Sequence, residues 1–251
     1  IAERSRAVAA VVCKNAPSAS ALSGMLLEQP RASVRGAGMV LLGHSGEGGV
    51  VLGSSGTTGL PKLALRESPS LDADASGIIS GMGLSIADRV AFATPLSHSY
   101  GVDVLLGTIM AGATLRVMTV FDAESLAREL LSSATVIPGV PFVFEALARF
   151  SRPGTNRLRL AVSAGASLPG RVRHEFRESW GIEVGQLYGA TELGTVSMDV
   201  PGTDGFDSCS VGRPLAGVSM RIVGIDDQHR SMPTGQEGQL AVRAPSMLSR
   251  Y

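Results

Sequence analysis

Short apolar runs alternate along the chain with stretches whose apolar residues recur at helical spacing. An apolar run bounded by Gly, Pro or Ser predicts a strand, and an apolar stripe every three or four residues predicts a helix. The predicted strands cover residues 7–13, 50–52, 89–94, 113–120, 135–137, 158–163, 182–187, 219–223 and 238–243. The predicted helices cover residues 18–29, 75–84, 122–133, 142–150 and 168–180.

The segments between these elements are predicted as loops. Residues 31–49 are expected to form a loop or a weak hairpin, and residues 66–74 a polar, turn-rich segment. The alternation of strands and helices predicts an α/β fold, layered, with helices flanking mainly parallel sheets and a short β-hairpin region near the C-terminus. Because parallel strands end at a common edge, ligand-binding loops are expected to meet there.

Composition and charge narrow the class of protein. The chain has 251 residues, of which 44% are hydrophobic, and 22 basic residues balance 22 acidic ones. This predicts a globular protein, with no nucleic-acid partner and no membrane span. The two cysteines, Cys13 and Cys209, have neither disulfide nor metal-ligand spacing, which predicts a cytoplasmic protein. Because the sequence begins at Ile1 and stops at Tyr251 without a tail, it is expected to be a piece of a longer protein.

The richest chemical motif follows the predicted strand at residues 50–52. It has three glycines and four hydroxyl side chains, and it ends in a lysine: Gly53-Ser54-Ser55-Gly56-Thr57-Thr58-Gly59-Leu60-Pro61-Lys62. Glycines let backbone N–H groups approach an anion, hydroxyls donate further hydrogen bonds, and a lysine adds positive charge, so the loop is typical of a phosphate site. Taken alone, it could also be an ordinary turn with a solvated lysine.

The spacing excludes one large class of phosphate-binding proteins. A Walker A loop has its lysine directly after glycine and before Ser or Thr, whereas Leu60 and Pro61 separate Gly59 from Lys62 in this chain. The loop instead resembles the phosphate-binding signature of the adenylate-forming (AMP-binding) enzymes, a superfamily that includes acyl-CoA synthetases, nonribosomal-peptide adenylation domains and luciferases. It departs from their pattern at Leu63, where most members have Gly.

Four further segments carry the same resemblance. Tyr188-Gly189-Ala190-Thr191-Glu192 is similar to the family's Tyr-Gly-x-Thr-Glu motif, and residues 163–169 to its small-residue adenine loop. Residues 95–101 resemble the Pro-Leu-x-His-x-x-Gly loop beside the acid, and residues 135–141 a Val-Pro turn before the helix that lines the acyl pocket. Singly, each functional residue could instead be a core tyrosine, a helix-capping histidine or threonine, or a surface glutamate.

The resemblance implies a role for each matching residue. The catalytic set is Lys62, His98, Thr191 and Glu192, with Glu192 holding Mg²⁺. The nucleotide-binding set is Ser54, Ser55, Gly56, Thr57, Thr58, Gly59, Lys62, Gly165, Ala166, Tyr188, Gly189 and Thr191. The candidates for the acid pocket are His98, Tyr100, Gly139, Val140 and Gln186.

The resemblance also implies the domain organisation. Residues 1–215 would form the α/β AMP-binding core, without its first part, and residues 216–251 the start of a β subdomain. A ribose-binding segment and a C-terminal lid domain would follow beyond Tyr251. Apolar surface that those parts would cover favours self-association, so a homodimer is among the expected partners.

The implied activity is ATP-dependent conversion of a fatty or aryl acid into an acyl-adenylate, followed by thioester formation. The implied ligands are ATP, Mg²⁺, the acid and CoA. Two alternatives stay open: a domain that loads the phosphopantetheine of an acyl carrier protein, and a non-catalytic nucleotide-binding fragment. The sequence leaves the identity of the acid open, since the pocket candidates are chemically mixed.

Overall fold

The first described strands form an antiparallel sheet in the order β1-β2-β3-β4. The computed structural model describes residues 9–11, 39–44, 47–54, 62–118, 121–150 and 156–248. These strands are β1 (Ala9–Val11), β2 (Met39–His44), β3 (Glu47–Ser54) and β4 (Lys62–Glu67). β1 lies within the strand predicted at 7–13, and β3 includes the strand predicted at 50–52. For 31–49 a loop or a weak hairpin was predicted, and its described residues belong to the hairpin of β2 and β3. The helix predicted at 18–29 lies outside the described residues.

From residue 68 onward, strands and helices alternate. In chain order they are α1 (Ser68–Met82), β5 (Arg89–Phe92), α2 (Ser99–Met110), β6 (Thr114–Val117), α3 (Ala123–Ser132), β7 (Val136–Gly139), α4 (Pro141–Leu147), β8 (Leu160–Ser163), α5 (Gly170–Trp180), β9 (Val184–Ala190), β10 (Gly194–Asp199), β11 (Arg213–Pro214), β12 (Ser219–Val223) and β13 (Gln239–Arg243).

A seven-stranded sheet organises these elements, with strand order β11-β10-β9-β8-β7-β5-β6. Its five strands from β9 to β6 are parallel, and β10 and β11 add antiparallel pairs at one edge. Strands β12 and β13 form a separate antiparallel hairpin. The predicted α/β class with a C-terminal hairpin is confirmed, although the first sheet is antiparallel throughout.

Helices cover both faces of the large sheet. On one face, α3, α4 and α5 pack a core around Leu126, Phe144, Phe176 and Trp180, all of them buried. On the other face, α1 and α2 pack against the strands through residues such as Ile78. Each face thus excludes water from apolar side chains, as parallel sheets require. None of the helices in the described ranges has the length and apolar character needed to cross a bilayer.

One segment was predicted with the wrong secondary structure. Residues 66–74, predicted as a polar turn, contain the end of β4 and the first two turns of α1. Pro69 suits the first helical turn, where a backbone N–H has no partner anyway. The polar residues that suggested a turn, Arg66 and Asp74, are buried against each other. Strand β10 was not predicted, and its pairing extends β9 to Ala190.

A buried carboxylate ties the amino ends of the parallel strands together. Asp88 precedes β5 and accepts hydrogen bonds from Thr135 Oγ1 at 2.7 Å, the Ser85 amide at 2.9 Å and two nitrogens of Arg159 at 2.8 Å. Arg159 also donates to the carbonyls of Met82 and Gly83 at the end of α1. Burial alone would raise the pKa of Asp88, but these hydrogen bonds outweigh it and hold the pKa well below its usual value.

Replacing Asp88 by Asn should lower the free energy of unfolding at pH 7 by about 1.5 kcal/mol, because a neutral amide loses charge-assisted hydrogen bonds. Since the folded-state pKa is depressed, this stabilisation is present above the unfolded pKa of about 4 and is lost as the pH falls. The difference between wild type and Asp88→Asn should therefore shrink below about pH 4 in urea titrations. The exposed Asp204→Asn is the control, and a difference independent of pH would contradict this account.

Candidate nucleotide and acid site

The parallel register places several predicted site residues side by side. Gly139 at the end of β7 lies opposite Ser163 at the end of β8, and Ser163 lies opposite Gln186 in β9. Strand β5, whose following loop carries His98, is the other neighbour of β7. The residues that follow these strands therefore meet at the carboxyl edge of the sheet, where α/β folds bind ligands.

The loop after β8 is built from small residues and is open to solvent. The Ala164 amide donates to the Gly139 carbonyl at 3.0 Å, which fixes the loop against the end of β7. Gly165 has φ +82°, a conformation that favours glycine, and both Gly165 and Ala166 are exposed. A Cβ atom on Gly165 would lie 3.5 Å from Val140 Cγ1. Because Gly165 has no side chain, the backbone beside Val140 is exposed, and a planar ring can lie against it.

The sequence predicted a strand that ends at residue 187, before Tyr188 and Gly189. In the structure both residues belong to β9. Tyr188 pairs with Ser197 of β10, and its side chain remains 36% exposed. Gly189 faces Thr195, and a Cβ on Gly189 would come within 2.5 Å of the Gly194 carbonyl oxygen. The close approach of β10 therefore requires glycine at position 189, and the pairing holds Tyr188 rigidly with its ring accessible.

Thr191 and Glu192 lie in the turn between β9 and β10, and several bonds fix its backbone. The Leu193 amide donates to the Ala190 carbonyl at 3.0 Å, and the Leu248 amide donates to the Glu192 carbonyl at 2.9 Å. Ser246 Oγ donates to the Leu193 carbonyl at 2.6 Å. The Glu192 carboxylate has no hydrogen-bond or ion-pair partner among the described residues, so it is available to a ligand.

The donor set suits magnesium delivered with a nucleotide. In the part of the chain that the structure describes, no three His, Cys, Asp or Glu side chains cluster as a metal site. Mg²⁺ is commonly bound by one or two carboxylates together with substrate phosphates and waters. The half-buried Glu192, unpartnered among the described residues, fits that arrangement.

His98 lies in the loop after β5 and precedes α2. Its carbonyl accepts from the amides of Gly101 and Val102, at 3.1 and 3.3 Å, so the backbone of His98 starts the helix. The imidazole makes no capping bond, is exposed, and has no partner among the described residues. The side chain can therefore interact with a ligand at the carboxyl edge.

Two of the acid-pocket candidates use their polar groups inside the protein. Tyr100 is buried and its hydroxyl donates to the Val162 carbonyl at 3.3 Å; burial raises the pKa of this hydroxyl far above its usual value. The Gln186 amide donates to the carbonyls of Ser208 and Ser210 at 2.8 and 3.2 Å. The Tyr100 hydroxyl and the Gln186 NH₂ group are therefore bonded within the protein.

The phosphate loop is only framed by the structure. Ser54 ends β3 and pairs with Lys62, the first residue of β4. Ser55, Gly56, Thr57, Thr58 and Gly59 lie outside the described residues. The hairpin therefore locates the two ends of the loop in the antiparallel sheet.

The sequence interpretation missed two features near this edge. Ser163 Oγ is buried and has no hydrogen-bond partner among the described residues, although it lies at the end of β8. Arg66 is fully buried and pairs with Asp74 at 2.5 Å and Asp103 at 2.6 Å. A signal was present, because Asp74 shares a helical stripe with Leu71 and Ile78, and Asp103 interrupts an apolar run.

Comparisons with known proteins agree with the family resemblance of the sequence motifs. The mitochondrial malonate–CoA ligase ACSF3 of Mus musculus is 31% identical over 245 residues, covering 83% of this chain and 42% of the relative. The indoleacetate–CoA ligase of Aromatoleum aromaticum is 30% identical over 204 residues, covering 79% of this chain and 39% of the relative. The crystal structure of apo MatB from Rhodopseudomonas palustris superposes with a TM-score of 0.73 at 25% identity, covering 79% of this chain and 40% of that one.

The chain spans about two fifths of the length of these relatives. Residues 50–251 match the family model described as AMP-binding enzyme. This match includes the framed phosphate loop, the Gly165 loop and the Thr191-Glu192 turn. The chain belongs to the AMP-binding enzyme family.

Proposed function

We propose that this chain supplies the nucleotide and acid sites of an acid–CoA ligase that forms AMP. The carboxylate of the acid attacks the α-phosphorus of ATP, and pyrophosphate leaves. The thiol of CoA then attacks the acyl carbonyl carbon of the acyl-adenylate, which yields the thioester and AMP. The observation that supports this most directly is the alignment of Gly139, Ser163 and Gln186, which brings the family's adenine and acid loops to one edge.

In this proposal the adenine ring lies between the Tyr188 ring and the exposed backbone at Gly165 and Ala166. An aromatic face suits a purine, and the absence of a large side chain at 165 leaves room for it. The rigid pairing of β9 with β10 would keep Tyr188 in place without further ordering on binding. That lowers the entropic cost of holding the nucleotide.

The phosphates would be held from two sides. Backbone and hydroxyl donors of residues 54–59 and the charge of Lys62 would bind them from the β3–β4 hairpin, and the Thr191 hydroxyl from the β9–β10 turn. Glu192 would hold Mg²⁺, which supplies charge neutralisation at the phosphates. The protein's own contribution is to position the α-phosphate for in-line attack.

The acid would enter beside His98 and Val140. The exposed imidazole of His98 can donate a hydrogen bond to the attacking carboxylate, while Val140 contributes an apolar wall. Tyr100 and Gln186 would contribute to the pocket wall, with their polar groups bonded to carbonyls of the protein. The relatives named for malonate and indoleacetate suggest which acids to test first.

The test is ATP–pyrophosphate exchange with the complete natural protein that carries this sequence. Malonate, indoleacetate, a medium-chain fatty acid and benzoate form the panel, with Mg²⁺ present. We expect one acid class to stimulate exchange, and CoA to convert the resulting adenylate to a thioester detectable by mass spectrometry. Absence of exchange with every acid in a folded protein would contradict the proposal, and transfer only to a carrier-protein pantetheine would replace CoA as acceptor.

Lys62→Ala should lower the rate of exchange about 100-fold, since a charge that neutralises the phosphates is removed from the site. The exposed Arg221→Ala, which also removes one positive charge, should leave the rate within about twofold. Equal rates for wild type and Lys62→Ala would remove Lys62 from the site.

Glu192→Gln should raise the Mg²⁺ concentration needed for half-maximal exchange by about tenfold, because an amide oxygen carries no charge for the cation. The measurement is a Mg²⁺ titration of the exchange rate at saturating ATP. Glu178→Gln, an exposed glutamate on α5, is the matched control. An unchanged titration would show that Glu192 does not bind the metal.

A further inference from the structure

A buried ionic cluster lies between the two structural units that flank the proposed phosphate position. Arg66 is on β4, four residues after Lys62. Its Nη2 atom lies 2.5 Å from Asp74 Oδ2 on α1, and its Nη1 atom lies 2.6 Å from Asp103 Oδ1 on α2. The cluster therefore joins the phosphate-loop hairpin to both helices on one face of the large sheet.

The second carboxylate oxygen of Asp74 connects the cluster to the strand that follows the Thr191–Glu192 turn. Asp74 Oδ1 accepts a hydrogen bond from the Thr195 amide at 3.0 Å, and Thr195 lies three residues after Glu192. Gly194 packs directly on the cluster, because a Cβ there would collide with Asp74 Oδ2 and would lie 2.8 Å from Arg66 Nη2. One carboxylate thus connects β4 with the Thr191–Glu192 turn.

A second set of hydrogen bonds connects the same turn to α1. Ser70 Oγ donates to the Met247 carbonyl at 2.8 Å, and the neighbouring Leu248 amide donates to the Glu192 carbonyl at 2.9 Å. The turn is therefore fixed through Asp74 and through residues 246–248, and both routes start on α1. This makes α1 the common support of the hairpin and the turn.

The charges explain why the geometry is well defined. Arg66, Asp74 and Asp103 are 0, 2 and 3% exposed, so each charge depends on its partners and displacement is costly. Two carboxylates face one guanidinium, which would leave an excess negative charge in the interior. Burial and the nearby charge of Asp74 raise the pKa of Asp103 well above its usual value.

We propose that Arg66 and Asp74 are positioning residues for adenylation, which set the Thr191–Glu192 turn relative to the strand that begins at Lys62. This inference rests on the proposed function, because Lys62 and Glu192 must contact the same Mg·ATP. Neither Arg66 nor Asp74 touches the substrate in this account. Their effect is on the separation and orientation of two groups that do.

Asp74→Asn tests the proposal in the complete natural protein. The Asn side chain has one acceptor oxygen and one NH₂ group in place of two acceptor oxygens. Its NH₂ group must therefore face a donor, either Arg66 Nη2 or the Thr195 amide. We expect kcat for ATP–pyrophosphate exchange to fall about 30- to 100-fold and the Mg²⁺ requirement to rise about fivefold. In Asp103→Asn the amide can accept from Arg66 and donate to Asp74, so kcat should fall less than about fivefold.

The control is Asp88→Asn, which also breaks the ion pair of a buried carboxylate but lies at the opposite edge of the sheet. It should lower stability without changing kcat or the Mg²⁺ requirement below the melting temperature. A folded Asp74→Asn protein with kcat and Mg²⁺ dependence like those of Asp88→Asn would overturn the proposal. Failure of the proposed function has a different signature, since the wild-type protein would then show no exchange. Mg·ATP affinity, measured by calorimetry on the same variants, would then decide whether Asp74 positions the site.

Gly194→Ala approaches the same contact from the turn and applies if Asp74→Asn does not fold. Gly194 has φ +70°, so alanine introduces backbone strain as well as a collision with Asp74. Gly83→Ala, at φ +56° with nothing within 4 Å, introduces strain without a collision and is the matched control. We expect Gly194→Ala to lower kcat at least tenfold more than Gly83→Ala. Similar kcat values for the two variants would overturn the proposal.

Discussion

The register of the parallel strands is the constraint on which the rest of the structure depends. Because strands β7, β8 and β9 pair with Gly139, Ser163 and Gln186 in one row, the loops that follow them lie at one edge of the sheet. Helices bury both faces of these strands, so a one-residue slip in register would turn Ile137 and Val162 to the opposite faces of the sheet and disrupt both cores. The site is therefore specified by the same packing that stabilises the fold.

The two edges of the sheet are built differently. At the amino edge, Arg159 donates to the Asp88 carboxylate and to a carbonyl at the end of α1, so the Asp88 carboxylate is paired within the protein. At the carboxyl edge, His98 and Glu192 are without partners among the described residues, and Gly165 is exposed. Polar side chains that have no partner in the protein can bind a ligand, and their position at the carboxyl edge agrees with the proposed site.

How far the sequence could predict this depends on whether the information is local. The strand predicted at 158–163 and the helix predicted at 168–180 correspond to β8 and α5, because apolar periodicity and flanking glycines are local signals. Tyr188 and Glu192 were predicted as site residues from their resemblance to the family motif, although β9 was ended too early. Its last residues are held by β10, and neighbours in sequence do not reveal such pairing.

The acid pocket and the buried cluster show the same limit more sharply. Asp103 is 37 residues from Arg66, and the Thr195 amide is 121 residues from Asp74, so local polarity around Arg66 suggested a solvent-exposed turn. Tyr100 and Gln186 were acid-pocket candidates through the family resemblance, and the sequence did not reveal that the Tyr100 hydroxyl and the Gln186 NH₂ group donate to carbonyls in the protein. Spacing identifies which residue types are present, and tertiary contacts decide which of them remain available.

The choice of a charged cluster beneath the turn has a physical rationale. Apolar side chains of similar volume can match or exceed a buried ion pair in stability, so stability alone does not account for Arg66. Apolar contacts are non-directional and tolerate sliding, whereas a guanidinium binds in its plane and along fixed N–H directions. Arg66 directs one nitrogen to Asp74 and another to Asp103, and Asp74 directs its other oxygen to the turn. Directional bonding at this point suits the proposed adenylation, whose rate would depend on the relative position of Lys62 and Glu192.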